Sequence, residues 1–311
     1  MVSGVRVRDK TIDGFRAVAA LGVVFAHAVG YRFGAEKWLH YGQRLADPVA
    51  ETSVDLFFVI SGFIITSLLL KEREQAGSVS ITSFYIRRAC RIIPPLALYL
   101  VAASFLTPPS SLAMASTFTC NIGSCSWYVA HTWSLSVEEQ FYLGWPMLLI
   151  FFGTEWLPFA IGTLLIVYLA MPAVAHSNLI SFSCIGMGAL YAARPFKIPP
   201  NSSMWMAVAA FLMIGTLYLP EKAKVLAPML IVYLLFGPPG WVKAALAWRS
   251  VQVVGLSSYS LYMWQQIFLG RDSTAPLWLL PVVVALSVVL VEQPFIRLGR
   301  FLTQLRVGQQ T

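Results

Sequence analysis

Apolar residues run through this chain in long blocks rather than in strict alternation. A helix needs about 20 apolar residues to cross the hydrocarbon core of a bilayer. Ten blocks approach that length: Phe15–Tyr31, Ser53–Leu70, Ile92–Leu106, Ser136–Phe152, Trp156–Val174, Asn178–Ala193, Met204–Leu219, Val225–Phe236, Val251–Leu269 and Leu277–Val291. The third, eighth and tenth are short, as tilted, bent or re-entrant segments are. The pattern predicts an all-α fold, a polytopic membrane helix bundle of about ten transmembrane helices. Residues 1–311 read as a single integral-membrane domain with no soluble appendix. The connections are short, apart from about 20 residues after the first block and about 30 between the third and fourth. Long ordered loops often carry function.

Composition agrees with this pattern. Of 311 residues, 58% are hydrophobic and 12% charged, whereas a soluble domain carries about 25% charged residues. A disordered chain, a nucleic-acid-binding domain, a disulfide scaffold and an ordinary soluble enzyme are excluded on these grounds. The net charge of +8 has its source in the loops. If the N-terminus is cytoplasmic and all ten blocks cross, 16 of the 22 Lys and Arg residues fall inside and 6 outside. That asymmetry predicts an N-in, C-in orientation. Arg6, Arg8 and Lys10 before an apolar block, with Ala26-His27-Ala28 beyond, mimic a signal peptide. Asp9 and Asp13 in the supposed basic region speak for a retained span. The four cysteines, Cys90, Cys120, Cys125 and Cys184, contain no CxxC pair. Cys120 and Cys125 can bridge if their loop faces an oxidising compartment.

Ionisable groups inside a membrane are costly and point to function. Arg16 and His27 stand eleven residues apart in the first block. At 100° per residue they share one helix face, about 16 Å apart along the axis. That face offers a cation for an anionic ligand and an imidazole for proton transfer. The plainer alternative is a snorkelling arginine and a histidine satisfied inside the bundle. Asp13 reads as a helix cap, with an i, i+3 ion pair to Arg16 as the alternative. Asp55, at the outer end of the second block, is placed to cap that helix or to orient His27.

Arg88 and Arg91 lie one turn apart, with Arg87 beside them. Three guanidiniums at the cytoplasmic boundary suit a phosphate or carboxylate, or else form a lipid-headgroup cluster. Pro94 and Pro95 are expected to break or bend the helix there. Glu138 and Glu139 head the fourth block, where Ser136 can cap. Adjacent helical carboxylates point about 100° apart, so one at least faces a polar interior, unless the pair is merely interfacial. It would then partner the histidine or an acceptor hydroxyl. His40, His131 and His176 read as loop or interfacial residues, and their spacing matches no metal motif. No GxSxG nucleophile elbow and no phosphate-binding glycine loop occurs.

Taken in order, several segments resemble the integral-membrane acyltransferase family 3 of bacterial glycan O-acyltransferases. They are Ile12–Arg16 with His27 beyond, Val54–Ile65, Phe84–Pro94, Thr132–Pro146, Ser258–Trp264 and Val291–Phe295. Arg16, ten intervening residues and His27 match the family's first-span pattern, and Arg88 with Arg91 its Arg-x-x-Arg. The resemblance implies an enzyme that moves an acyl group, by default acetyl, from cytoplasmic acyl-CoA to a hydroxyl of an extracytoplasmic glycan or glycolipid. It implies His27 as general base, helped by Glu138, Glu139 or Asp55, and Arg16, Arg87, Arg88 and Arg91 as acyl-CoA contacts. Acyl-CoA is then a donor substrate, with no permanently bound cofactor, no metal and no nucleic acid. The implied setting is the bacterial cytoplasmic (inner) membrane, with a separate glycan-assembly partner as a further expectation. Gln265 and Gln266 follow Trp264 where family members often carry His, so a contact near the acceptor is expected to differ. A transporter or flippase of a glycan or lipid, and a non-catalytic membrane assembly subunit, are the competing readings.

Overall fold

The computed structural model describes residues 9–32, 39–171, 177–218, 221–270 and 273–308. Among the described residues every regular element is helical. Helix α1 (Lys10–His27) continues into a π-helical turn, Ala28–Arg32. Helix α2 (Leu39–Ala76) is the longest, and α3 (Ile81–Ala103) follows a short turn. The connection to α6 (Thr132–Phe152) holds two short helices, α4 (Pro109–Ser116) and α5 (Trp127–Ala130). Then come α7 (Leu157–Ala170), α8 (Ser177–Ala193), α9 (Ser202–Tyr218), a 3-10 segment (Glu221–Leu226), α10 (Ala227–Phe236) and α11 (Gly240–Leu246). The chain closes with α12 (Arg249–Leu256), α13 (Ser258–Leu269), α14 (Leu279–Ser287), a second π-helical turn (Val288–Glu292) and α15 (Gln293–Gly308).

By length and composition, three helical stretches among the described residues can cross a membrane unbroken: Lys10–Arg32, Ala46–Ala76 and Leu279–Leu305. A fourth is bent by 83° between Lys222–Phe236 and Gly240–Leu246. Leu157–Ala170, Asn178–Ala193 and Ser202–Leu212 are apolar but shorter. Helices α3 and α6 have 23 and 21 residues, enough for about 30 Å at 1.5 Å per residue. They carry the arginines and glutamates noted above, so what lowers their apolarity is the candidate chemistry. Large apolar side chains face outward, among them Phe105 (86% exposed), Phe159 (79%) and Phe151 (73%). In water such a surface would aggregate; against lipid it is the matching solvent.

Several local expectations are corrected. The cap of α1 is Asp9, whose side chain accepts from the Thr11 amide at 2.7 Å. Asp13 is buried inside the helix and pairs with Arg16 at 3.9 Å. Asp55 lies mid-helix in α2 and caps nothing. Ser136 lies inside α6, where its hydroxyl donates back to the Thr132 carbonyl at 2.8 Å. Pro94 and Pro95 do not interrupt α3. A proline costs a helix one donor and crowds the preceding turn, which here leaves the Cys90 and Arg91 carbonyls without helical donors; beside them the Tyr259 hydroxyl donates to the Ile92 carbonyl at 2.9 Å and ties α3 to α13. The ninth block is two helices, α12 and α13, broken at Ser257. The second and tenth blocks run on past their expected ends.

The buried centre is built by α1, α2, α3, α6 and α8. Phe58, Ile65, Leu69, Tyr99, Trp145 and Ile185 are fully enclosed. Helix α2 meets α8 backbone to backbone at two places. A Cβ on Gly62 would collide with the Ile185 carbonyl, and one on Gly188 with the Val59 carbonyl. Small residues permit this close approach, the common way of joining helices in lipid. The contact fixes α2, and with it the wall of the cavity described next.

Candidate functional site

A cavity opens between α1, α2, α3, α6 and α13. Its walls are apolar and aromatic, with Phe57, Phe58, Ile60, Ile64, Tyr262 and Met263 prominent, and four side chains of the charged types line it: Arg16, Arg88, Arg91 and Glu138. Each is supported. Arg16 donates to the Ser258 hydroxyl at 2.9 Å. The Arg88 guanidinium lies 5.0 Å from the Tyr142 ring centroid and 6.0 Å from that of Phe84, within range of cation–π attraction. Both oxygens of Glu138 accept, from Ser61 at 2.8 Å and from Tyr142 at 3.1 Å. Arg91 lies close enough to Arg16 and Arg88 for the like charges to repel, and the carboxylate of Glu292 offsets this. Three guanidiniums around one apolar cavity can hold an anionic head while its tail lies on aromatic side chains.

The sequence reading did not single out Glu292. It ends the second π-helical turn, is 1% exposed, and accepts from the Ser260 hydroxyl at 2.7 Å. It interacts electrostatically with Arg91 and Arg16. The only signal was a carboxylate ending an apolar block in Val-Glu-Gln-Pro-Phe. Ser61, Tyr142 and Ser258 were likewise hidden, because an isolated hydroxyl in an apolar block is common.

Other expected site residues sit elsewhere. Arg87 does not line the cavity; it pairs with Glu72 at 3.0 Å, and Glu72 also accepts the Ser80 amide. Glu139 does not line the cavity, although its charge acts on Arg88 and Tyr259 in the wall, and one of its buried oxygens lacks a hydrogen-bond partner. Asp55 interacts with the buried Cys184 thiol and with the charges of Glu51 and Lys224.

His27 occupies the last position of α1, just before the π-helical turn. Such turns are frequent at functional sites. Its Nδ1 lies 2.8 Å from Gln265 Oε1 of α13. The rings of Tyr31 and Trp127 meet the imidazole edge to face, at 5.8 and 5.5 Å between centroids. Arg16 and His27 therefore do share one face of α1, and α13 touches both, through Ser258 and Gln265. None of Asp55, Glu138 and Glu139 contacts the imidazole; its partner is a neutral amide.

His131 is 4% exposed rather than at a surface. Tyr99 and Tyr262 flank its ring at 5.3 and 5.5 Å, and it interacts electrostatically with His27. Its carbonyl accepts from the Tyr262 hydroxyl at 3.0 Å, so a wall residue of the cavity is tied to the layer beneath His27. The side chain of His40 and all of His176 lie outside the described residues.

The loop that carries Trp127 to His27 is cross-linked. Cys120 and Cys125 form a disulfide, with Cα atoms 5.7 Å apart. The loop is also tied to its surroundings. Asn121 and Gln140 exchange two side-chain hydrogen bonds, of 2.9 and 3.0 Å, and Asn178 donates to the Asn121 carbonyl at 3.0 Å.

Residues 9–291 match the family model described as "Acyltransferase domain". Three relatives share a shorter stretch. The Peptidoglycan O-acetyltransferase OatA of Listeria monocytogenes (strain ATCC BAA-679 / EGD-e) is 33% identical over 167 residues, 46% of this chain and 24% of that protein. The O-acetyltransferase OatA of Staphylococcus aureus (strain NCTC 8325 / PS 47) is 32% identical over 161 residues, 45% and 24%. A protein of Staphylococcus aureus (strain COL), named by inference as an O-acetyltransferase, is 34% identical over 160 residues, again 45% and 24%. The match thus spans about a quarter of each relative's own length. No solved structure gives a significant match.

Proposed function

The chain belongs to the acyltransferase-domain family, and from that premise we propose that it is a membrane O-acyltransferase with a two-ended active site on α1. The donor is acyl-CoA, by default acetyl-CoA. Its phosphates lie among Arg16, Arg88 and Arg91, and its pantetheine arm passes Phe57, Ile64 and Tyr262. His27 takes the proton from an acceptor hydroxyl as that oxygen attacks the thioester carbonyl. The C–S bond breaks, and the coenzyme A thiolate leaves and takes up a proton. Glu138, held by Ser61 and Tyr142, orders the arginine end. Arg87, Glu139 and Asp55 have structural roles in this reading.

The disulfide supports the sidedness of this reading. Bridges persist in oxidising compartments, and this one lies in the loop that brings Trp127 onto His27. On this reading the histidine end is extracytoplasmic, and the arginine end faces the cytoplasm, where acyl-CoA is made. That fits ten crossings with both termini inside and a place in the bacterial cytoplasmic membrane. The acceptor is a hydroxyl of a glycan or glycolipid, the class named for the Listeria relative's peptidoglycan, and a separate glycan-assembly partner would deliver it.

The observation that carries this reading is one face of α1 bearing an arginine in an arginine-rich cavity and a histidine beyond it. The test is acetyl-CoA turnover by purified protein in lipid, with water as a slow acceptor. His27→Ala should lower kcat on the order of 10²–10⁴-fold while donor binding is retained. Full turnover by folded His27→Ala would overturn the assignment. Absence of both turnover and donor binding in the wild type would favour a transporter.

A further inference from the structure

The contacts of His27 form a chain whose polarity can be worked out. Gln265 Oε1 lies 2.8 Å from His27 Nδ1. Gln265 Nε2 is 2.9 Å from Gln266 Oε1, and Gln266 Nε2 is 2.8 Å from the Trp127 carbonyl. Side-chain amide orientation is decided by such a network. Its far end settles the direction, because a backbone carbonyl only accepts. Gln266 must therefore present its NH₂ to Trp127 and its oxygen to Gln265. Gln265 must then present its NH₂ to Gln266 and its oxygen to the imidazole. An oxygen facing Nδ1 requires the proton to be on Nδ1. The Nε2 lone pair is left free.

Both amides are almost completely buried, Gln265 at 0% and Gln266 at 2% exposure. A buried amide left unpaired is costly, so reversing the chain at any link is penalised at every other. The far end is itself fixed. Trp127 Nε1 donates back to the Gln266 backbone carbonyl at 3.2 Å, closing a reciprocal pair between α5 and α13, and the indole also packs on His27.

We infer that Gln265 and Gln266 form a neutral relay, anchored on the Trp127 carbonyl, that fixes the Nδ1–H tautomer of His27 and reserves Nε2 as the proton acceptor. In hydrolytic triads a carboxylate does this work; here an amide pair sets the tautomer without adding a charge. Gln265 and Gln266 are positioning residues. The inference rests on His27 as the base of the proposed reaction.

The experiment has a spectroscopic arm and a kinetic arm. Selective ¹⁵N-histidine labelling, with His27 assigned by its loss in His27→Ala, should show the wild-type proton on Nδ1. Gln265→Leu should lose that preference and lower kcat about 10–100-fold, the usual cost of removing an orienting partner, with the acetyl-CoA KM unchanged. Gln265→Glu keeps an acceptor oxygen toward the imidazole but loses the donor to Gln266, so it should keep the Nδ1–H signature and recover only part of kcat relative to Gln265→Leu. Gln266→Leu removes the anchor and should act in the direction of Gln265→Leu, more weakly. Thermal melting of each variant separates loss of fold from loss of orientation. A wild-type proton on Nε2 overturns the relay, as does an unchanged kcat in folded Gln265→Leu alongside an inactive His27→Ala. Activity in His27→Ala would instead overturn the base assignment, leaving the tautomer measurement to stand alone.

Discussion

The arginine end and the histidine end of α1 are both polar regions inside an apolar bundle, yet they solve the problem differently. At the arginine end charge meets charge: Arg16, Arg88 and Arg91 lie among Asp13, Glu138 and Glu292. At the histidine end the groups that touch the imidazole are uncharged, namely Gln265, Tyr31 and Trp127, with Gln266 behind Gln265, and the Asp47 carboxylate bonds to Tyr31 rather than to the imidazole. Burying a cation is tolerable when it is paired and hydrogen-bonded, and a site built that way can exchange partners with an anionic ligand. A base needs an oriented lone pair, which neutral hydrogen bonds supply. That difference is what the proposed division rests on, with binding at one end and proton transfer at the other.

The strongest way to break that comparison is to cross the two ends. His27→Ala should lower kcat while leaving the acetyl-CoA KM within about twofold, a loss made only in the transition state. Arg88→Ala with Arg91→Ala should do the reverse. Each lost charge-assisted contact is worth about 1.5–3 kcal/mol, so the donor KM should rise at least tenfold. If both changes lower kcat alone, the two-ended division is wrong.

The wall between the ends can be tested next. Gly62→Leu forces α2 away from α8, because the Ile185 carbonyl fills the space a side chain would need. Overpacking costs about 1–3 kcal/mol, read as a lower melting temperature and loss of both donor binding and turnover. A variant that melts like the wild type would show that α2 has room to move.

Glu138→Gln sharpens the picture at the arginine end. It removes one negative charge from the cavity and keeps the acceptor facing Ser61. The donor KM should stay level or fall, by less than about tenfold, in isothermal titration or kinetics. A large drop in kcat instead would return Glu138 to the proton-transfer machinery. Glu155→Ala is the smallest expected change. Arg194 holds the Glu155 carboxylate below its ordinary range, but the group is fully exposed, and exposed pairs contribute little. Melting and both kinetic constants should stay as in the wild type.

Much of this was legible along the chain. The apolar blocks located most helices, since a bilayer imposes length and composition on any span. The 3.6-residue period placed Arg16 and His27 on one face, and the Cys120–Cys125 spacing allowed the bridge that forms. Interruptions were harder to read. The break at Ser257 and the two π-helical turns have no strong local signature, because in lipid an apolar run reads the same whether or not its backbone is continuous. Partner choice was harder still. The reading offered His27 a carboxylate from Asp55, Glu138 or Glu139, and the bundle gave it Gln265, 238 residues away in sequence.

The sequence by itself determined the class of molecule, the helix faces and the residue types that can carry acyl-transfer chemistry, because those depend on local period and on transfer from water to lipid. Tertiary structure alone decided which groups meet. It put Glu292 with Arg91, turned Arg87 toward Glu72, and joined His27 through two amides to the Trp127 carbonyl. Hydrogen bonds and ion pairs reach only about 3–4 Å, so their partners are fixed by how helices far apart in the chain pack against one another.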